Sequence, residues 1–265
     1  GDLFWRGLAG GGTDNAWNTG IANWSLDKAN TNPATTIPGQ GTDVIFAINT
    51  ASGAVTTTLE QNFKINSLTF EAGTSTPTSV NIAPGAVSTS RLEISPQLSV
   101  DGIAITAGGP AAVTISAPLR LGSDQTWTVA DAVDLTSATF ATGSSNVTVA
   151  DTTNLRVGMS VLGAGIPVGA TVASITNGTS FVLSANTTAA GSGIGLEASS
   201  TLTLSNSLQG QADVIKTGAG KVILTAAADP TFNGGQTATF TITGGNLEFT
   251  NSAAFGTSAN NNVAD

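Results

Sequence analysis

The side chains that could do chemistry in this chain are few, because histidine, cysteine and tyrosine are all missing from its 265 residues. Without histidine, the chain lacks the usual general base and cannot build a Ser–His nucleophile. Without cysteine, it cannot form disulfides, zinc–thiolate sites or iron–sulfur sites. Catalysis would have to rest on carboxylates, lysine, arginine or hydroxyl groups.

A pair of carboxylates could still hydrolyse a glycosidic bond. Asp131 and Asp134, in the stretch ADAVDL, are the nearest such pair, and both could lie near one turn. We interpret them instead as solvated loop residues that precede a small module. Asp27 with Lys28, and Asp43, are likewise interpreted as loop and strand-edge residues.

Lys216 and Lys221 flank the glycine-rich turn TGAG, where backbone amides and lysine could bind an anion. The segment lacks the upstream glycine, the Ser or Thr after the lysine and the following helix of a phosphate-binding loop. We therefore expect Gly218 and Gly220 to turn the chain. Both lysines are expected to remain solvated and to discourage pairing at a strand edge.

Tryptophan and oxygen ligands offer two further kinds of site. Exposed Trp5, Trp17, Trp24 or Trp127 could stack on sugar rings, but we expect all of them to pack in the core or as a cap. Calcium could bind among oxygen ligands in three short segments, although none has the spacing of a known calcium loop. These segments are TDN (13–15), DTTN (151–154) and NNNVAD (260–265). We assign no catalytic residue, metal site or cofactor, and predict that the chain is not an enzyme.

Charge and composition limit the partners and the location. Only 9% of residues are charged, the net charge is −9 and the pI is about 4.2, so nucleic acid is not expected as a partner. The chain has no apolar stretch of about 18 residues, so no transmembrane helix is expected. Low charge without cysteine is typical of exported bacterial proteins, and we predict an extracellular or cell-surface location.

Short runs that alternate apolar and polar residues predict an all-β fold. Gly, Pro, Asn or Ser bounds each run, and no window has helical periodicity. The runs before the middle of the chain are DVIFAI (43–48), AVTTTLE (54–60), INSLTFEA (65–72), SVNIAP (79–84), RLEIS (91–95), LSVDGIAIT (98–106), AAVTISAPLRLG (111–122) and QTWTVA (125–130). Regular short strands favour a sandwich, a barrel or a β-solenoid.

The chain divides into three predicted units. Residues 1–136 form an N-terminal cap rich in tryptophan and the first part of the repeated array. Residues 137–197 have longer strand-like runs and an Asn177–Gly178 tight turn, and form a small inserted or appended β-module. Residues 198–265 return to the first pattern as the second part of the array.

The stretch VIKTGAGKVILTAAADPTFNGGQTATFTITGGNLEF, followed by AAFG, resembles the autotransporter-associated β-strand repeat of bacterial secreted passenger proteins. That repeat has the pattern K-x-G-x-G-x-L-x-L, N-x-Y-x-G-x-T, G-x-L and A-L-G. The matching residues are Lys216, Gly218, Gly220, Ile223, Phe232, Gly234, Gly235, Thr237, Gly245, Leu247, Ala254 and Gly256. Phe232 replaces the usual Tyr and Phe255 the usual Leu. The resemblance implies a right-handed parallel β-helix, a β-solenoid; an antiparallel β-sandwich remains the alternative.

The expected function is that of a non-enzymatic extracellular structural protein, a surface or filament-forming β-solenoid subunit that is adhesive or self-assembling. The C-terminal end follows a complete repeat without an obvious cap, so strand addition would join subunits into a head-to-tail homopolymer. Cell-surface glycans are the other expected partner. The alternative function is a β-helix that binds or degrades polysaccharide.

Overall fold

The computed structural model describes residues 1–7, 14–17, 23–47, 53–73, 76–97, 101–230, 232, 238–255 and 261–264. Every regular element in these ranges is a β-strand, so the fold is all-β as predicted. The strands are β1 Asp2–Trp5, β2 Trp24–Ser25, β3 Asp43–Phe46, β4 Ala54–Thr58, β5 Phe63–Ile65, β6 Ser67–Phe70, β7 Ser79–Ala83, β8 Leu92–Ile94, β9 Asp101–Ile105, β10 Ala112–Ile115, β11 Leu119–Leu121, β12 Gln125–Val129, β13 Ala132–Phe140, β14 Asn146–Thr148, β15 Ser160–Leu162, β16 Val172–Asn177, β17 Ser180–Leu183, β18 Gly191–Ser199, β19 Thr201–Leu204, β20 Leu208–Gly210, β21 Val214–Thr217, β22 Lys221–Leu224, β23 Ala238–Ile242, β24 Asn246–Phe249 and β25 Asn261–Ala264.

All of these strands except β13 to β18 form three sheets in a repeating order. Sheet 1 runs β2-β1-β3-β6-β9-β12-β21-β23-β25, sheet 2 runs β24-β22-β19-β10-β7-β4, and sheet 3 runs β20-β11-β8-β5. The chain visits sheets 1, 2 and 3 in turn, as in β3-β4-β5 and then β6-β7-β8, and we call each such set a layer. Neighbouring layers pair in parallel, whereas the sandwich alternative requires antiparallel neighbours.

Side chains in register form columns through the layers. In sheet 2, Ile82, Ile115, Leu204 and Leu224 are successive partners, and all four are buried. Residues between them along each strand face outward, because side chains alternate along a strand. The two-residue period of the sequence thus becomes a continuous apolar core within the three sheets.

The predicted runs fall on strands β3 to β12, and two of them are divided. The run 65–72 turns a corner at Asn66, between β5 and β6. The Asn66 side chain accepts a hydrogen bond from the Gln97 backbone N–H at 2.8 Å, which ties this corner to the next layer. The run 111–122 divides into β10 and β11, with Pro118 between them. Apolar alternation continues through such corners, so periodicity alone did not reveal them.

A second, antiparallel unit lies between β12 and β19. Its strands follow the order β15-β18-β13-β14-β17-β16. Backbone hydrogen bonds of 2.9 Å from Val161 to Ala170 and from Val172 to Met159 join the two outer strands, so the sheet returns on itself as a small barrel. The barrel has its own apolar core and covers 132–199, around the predicted module 137–197. The division of the chain into three units stays a prediction.

The barrel confirms one local prediction, the tight turn at Asn177–Gly178. Strands β16 and β17 pair in antiparallel fashion on either side of it. The Asn177 side chain accepts hydrogen bonds from the Thr179 N–H at 2.9 Å and from its hydroxyl at 3.1 Å. Asparagine at this position therefore holds the turn with its own side chain.

Aromatic side chains close the N-terminal end of the sheets. Trp5, Trp17 and Trp24 are buried, with ring centroids 4.9 Å apart for Trp5 and Trp24 and 5.2 Å apart for Trp17 and Trp24. Phe46 stacks on Trp5 at 5.6 Å. Strand β2 pairs with the outer edge of β1. The predicted packing of these tryptophans as a cap is confirmed.

Replacing Trp24 by alanine should lower the free energy of unfolding by about 3–5 kcal/mol, because the change opens a cavity between two aromatic rings. Chemical denaturation followed by circular dichroism measures the effect. Val168→Ala is the control, since Val168 is 92% exposed and its truncation should change stability by less than about 0.5 kcal/mol. Equal losses in both variants would contradict a stabilising cap.

Candidate functional site

The two aspartates of ADAVDL occupy different surroundings. The Asp131 carboxylate accepts hydrogen bonds from the Gly108 N–H at 2.9 Å and from Arg156 Nη2 at 2.8 Å. Asp134 is solvated as expected, but it lies on strand β13, opposite Glu197, and not in a loop. Asp131 is therefore not the solvated loop residue we expected, since its ion pair ties the barrel to the parallel sheets.

The other proposed loop residues make local contacts. Asp27 accepts hydrogen bonds from the backbone and hydroxyl of Thr31, both at 2.9 Å, and the backbone hydrogen bond holds the pKa of Asp27 below its ordinary value. The Lys28 ammonium lies 2.7 Å from Glu71 on an exposed surface. The loop interpretation of Asp27 and Lys28 agrees with these positions.

Asp43 is the first residue of β3, as its interpretation as a strand-edge residue requires. One of its carboxylate oxygens accepts hydrogen bonds from the Asn66 amide and the Ser67 hydroxyl, both at 2.6 Å. Both donors belong to the following layer. Asp43 thus joins two layers where the chain enters sheet 1.

The possible calcium segments are only partly within the described residues. Asp151 accepts two hydrogen bonds from Thr153, and the bond from the Thr153 backbone lowers the pKa of Asp151. Thr13, Asn260 and Asp265 lie outside the described residues. Across the described ranges, no three acidic side chains meet as a metal site, and no helix has the length and apolarity needed to cross a membrane.

Lys216 is inside the parallel sheets, so the prediction that it remains solvated is wrong. It is 0% exposed and occupies an interior column between its register partners Trp127 and Ile242. Its ammonium donates hydrogen bonds to the carbonyl oxygens of Thr217, Gly218 and Gly244 at 2.9, 2.6 and 2.9 Å. The lysine therefore binds the turns of two successive layers from within.

The glycines of the turn make this arrangement possible. Gly218 has φ of +75°, a backbone conformation that other residues adopt with strain. A Cβ at Gly245 would lie 2.6 Å from the Lys216 ammonium nitrogen. The K-x-G-x-G segment and the following glycine pair thus act together. The sequence pattern identified these residues as a turn, but it did not predict that the Lys216 side chain points into the core.

Lys221 is also buried, at 5% exposure, and the prediction that it is solvated is wrong as well. It lies on the outer face of sheet 2, where the barrel covers it. Its ammonium is 3.2 Å from Glu248 on β24 and 3.5 Å from the Ser160 hydroxyl on β15. A sequence pattern cannot reveal this burial, because the covering strand comes from the inserted unit.

Charged side chains also stack in register on sheet 3. Glu93 lies between Lys64 of the preceding layer, at 3.0 Å, and Arg120 of the following layer, at 2.7 Å. Burial acts to raise the pKa of Glu93, but the hydrogen bonds from Arg120 and Lys64 outweigh it and hold the pKa below its ordinary value. Glu93 therefore stays ionised and links three layers.

The C-terminal end of sheet 2 is open. Strand β24 pairs with β22, and no strand in the described part of the chain pairs with its other edge. Phe249 follows the buried Leu224 in its interior column, yet it is 52% exposed. Phe255 packs against it with ring centroids 5.7 Å apart. We call β24 with Phe255 the open end, and it is the candidate functional site.

The open end can bind another strand. No strand among the described residues pairs with its outer edge, and its interior column ends there at an exposed aromatic ring. Such an edge can pair with an added strand, while a pocket or face for alternate side chains gives specificity. The only charged side chain of β24, Glu248, is already paired with Lys221. The open end therefore favours an uncharged, apolar partner surface.

Raising the pH should stabilise the fold through Lys216. Burial lowers the pKa of Lys216 to about 8 in the folded chain, whereas an unfolded lysine has a pKa of about 10.4. Between these values the unfolded chain binds more protons, so the free energy of unfolding should rise with pH by about 1–3 kcal/mol. Denaturant titrations from pH 7.5 to about 10.5 measure the rise.

Lys216→Met should remove that rise, because methionine does not titrate. Lys28→Met is the matched control, since Lys28 lies on the exposed surface and its loss should leave the pH dependence intact. A K216M variant with the same pH dependence as the wild type would contradict the assignment.

Comparisons with known proteins do not assign this chain to a family. No protein-family model matches it, and neither the curated proteins nor the solved structures include a significant match. The resemblance of residues 214–256 to the autotransporter-associated repeat therefore stays a resemblance. Any function of this chain has to be inferred from the geometry of its sheets and of the open end.

Proposed function

We propose that this chain is a non-enzymatic structural protein of the bacterial surface, a right-handed parallel β-helix completed at its open end by a second copy. The exposure of Phe249 is the observation that carries the proposal. Its column is buried in every preceding layer from Ile82 to Leu224. Within the described residues this column ends at a half-exposed aromatic ring, and an exposed apolar surface of this kind is suited to be covered by a partner.

The repeating order of sheets 1, 2 and 3 supports the β-helix. Four successive layers each contribute one parallel strand to each of the three sheets, and the layers that follow them continue sheets 1 and 2. Parallel strands joined by crossover connections are right-handed in nearly all proteins. Interior columns of apolar side chains and glycine at the corners agree with the implication of the resemblance.

The asymmetry of the two ends favours pairing between two open ends. At the N-terminal end, β2 covers β1, and the Asn15 carbonyl accepts the Thr58 N–H at 2.9 Å, next to the edge of β4. A head-to-tail homopolymer would have to displace these contacts, because they lie at the edges on which the next subunit would stack. Two open ends related by a twofold axis can instead pair β24 with its counterpart in antiparallel fashion.

Composition supports the surface location and the structural role. The chain has no cysteine or histidine, and only 9% of its residues are charged. All four tryptophans are buried, so none offers an exposed face to a sugar ring. The buried tryptophans favour the structural role over the polysaccharide alternative.

Phe249→Glu should weaken self-association by about 2 kcal/mol or more, roughly 30-fold in Kd, because a charge would replace an aromatic ring at the centre of the contact. Sedimentation equilibrium over a range of concentrations measures the effect. Ile215→Glu is the control, because Ile215 is similarly exposed, at 44%, but lies on the outer face of sheet 1.

Negative-stain electron microscopy distinguishes the arrangements. We expect rods that are paired end to end in the wild type and single in the Phe249 variant. Long filaments would support head-to-tail stacking and contradict the pairing of two open ends. A wild-type chain that remains monomeric at high concentration would contradict the proposed self-association.

A further inference from the structure

A lysine and an asparagine lie side by side on the outer face of the last two strands of sheet 2. Lys221 on β22 and Asn246 on β24 are direct register partners in a parallel pair. Adjacent strands are about 4.8 Å apart, and register partners point to the same face. A lysine side chain is long enough to span that separation.

A carboxylate contacts each of these two groups. Glu248 lies 3.2 Å from the Lys221 ammonium. Glu197, on β18 of the barrel, accepts a hydrogen bond from the Asn246 amide nitrogen at 3.0 Å. One carboxylate is thus placed to take a proton from the amine, and the other holds the nitrogen that would leave.

The barrel limits access of water to the lysine. The Lys221 side chain is only 6% exposed, and the Ser160 hydroxyl on β15 lies 3.5 Å from its ammonium. Exclusion of water from a reacting centre strengthens the contacts that hold its groups and limits competing hydrolysis. A noncovalent ion pair would need only Lys221 and Glu248. Such a pair does not account for the contact between Asn246 and Glu197 beside it.

We propose that Lys221 and Asn246 form an intramolecular isopeptide bond. Glu248 accepts a proton from the ammonium, and the Nζ lone pair attacks Cγ of Asn246. The tetrahedral centre collapses as the Cγ–Nδ2 bond breaks, and the leaving nitrogen departs with the protons released from Nζ. An ammonium group and a carboxamide thereby become a secondary amide and ammonium ion. The reaction needs no oxidant, reductant or other reactant.

The bond would give the inserted barrel a definite role. The bond joins β22 to β24 and so ties the last layer of sheet 2 to the layer before it. Glu197 comes from the barrel, so the site is complete only when the barrel is docked on sheet 2. This inference does not depend on a second copy at the open end, because all four residues belong to one chain.

Intact-mass spectrometry of the purified full chain tests the proposal. The wild type should weigh less than its sequence mass by one ammonia, about 17 Da. A peptide digest should contain one branched peptide that joins the segments around Lys221 and Asn246. A folded wild type with its full sequence mass after prolonged incubation would overturn the proposal.

Variants separate the bond from other losses of ammonia. Lys221→Arg keeps the charge beside Glu248 but should show the full mass, whereas Lys64→Arg should still lose ammonia. A succinimide at an asparagine loses the same mass without lysine, so loss that persists in K221R would overturn the proposal. Glu197→Gln should retain a folded spectrum by circular dichroism and form the bond slowly or not at all; unchanged formation would remove Glu197 from the site.

Discussion

Pairing in register between successive layers is the constraint on which the rest of this structure depends. Each inner strand of the parallel sheets satisfies its backbone through the layers on either side, and equivalent side chains then stack in columns. Each side chain in a column must therefore pack against the equivalent side chains of the neighbouring layers. Sheet 2 meets this requirement with branched apolar residues from Ile82 to Leu224.

Lys216 and Glu93 are charged side chains that are buried in these sheets where neighbouring layers provide their partners. Lys216 occupies an interior position and donates to three carbonyl oxygens, one of them on the next layer. Glu93 stacks between two cations on the outer face of sheet 3. Each polar group thus connects layers rather than facing solvent. Removing one member would leave a buried group unpaired, which costs more than the contact itself contributes.

The barrel and the two ends break the repetition. The barrel interrupts the chain between β12 and β19 but leaves their layer intact, because β19 resumes the register of β10. Aromatic side chains and β2 close one end, while at the other end the described part of sheet 2 presents an exposed ring. Function is therefore expected where the repeat is interrupted, at the covered face of β22 and at the open end.

The sequence by itself determined the all-β class, the positions of most strands and the tight turn at Asn177. These features depend on local alternation and turn chemistry, which a single sequence contains. The aromatic residues near the N-terminus also indicated a cap. The resemblance around Lys216 and Gly218 indicated a repeat.

Only the tertiary structure decided which polar residues are buried and which residues meet. The alternation of residues along β21 does not tell whether Lys216 faces the core or the solvent. The pairing of this strand with its neighbouring layers decides that Lys216 faces inward. Lys221 lies on an outer face, yet the barrel, inserted earlier in the chain, covers it. The contacts of Lys221 with Glu248 and of Asn246 with Glu197 join strands distant in sequence, so no local pattern encodes them.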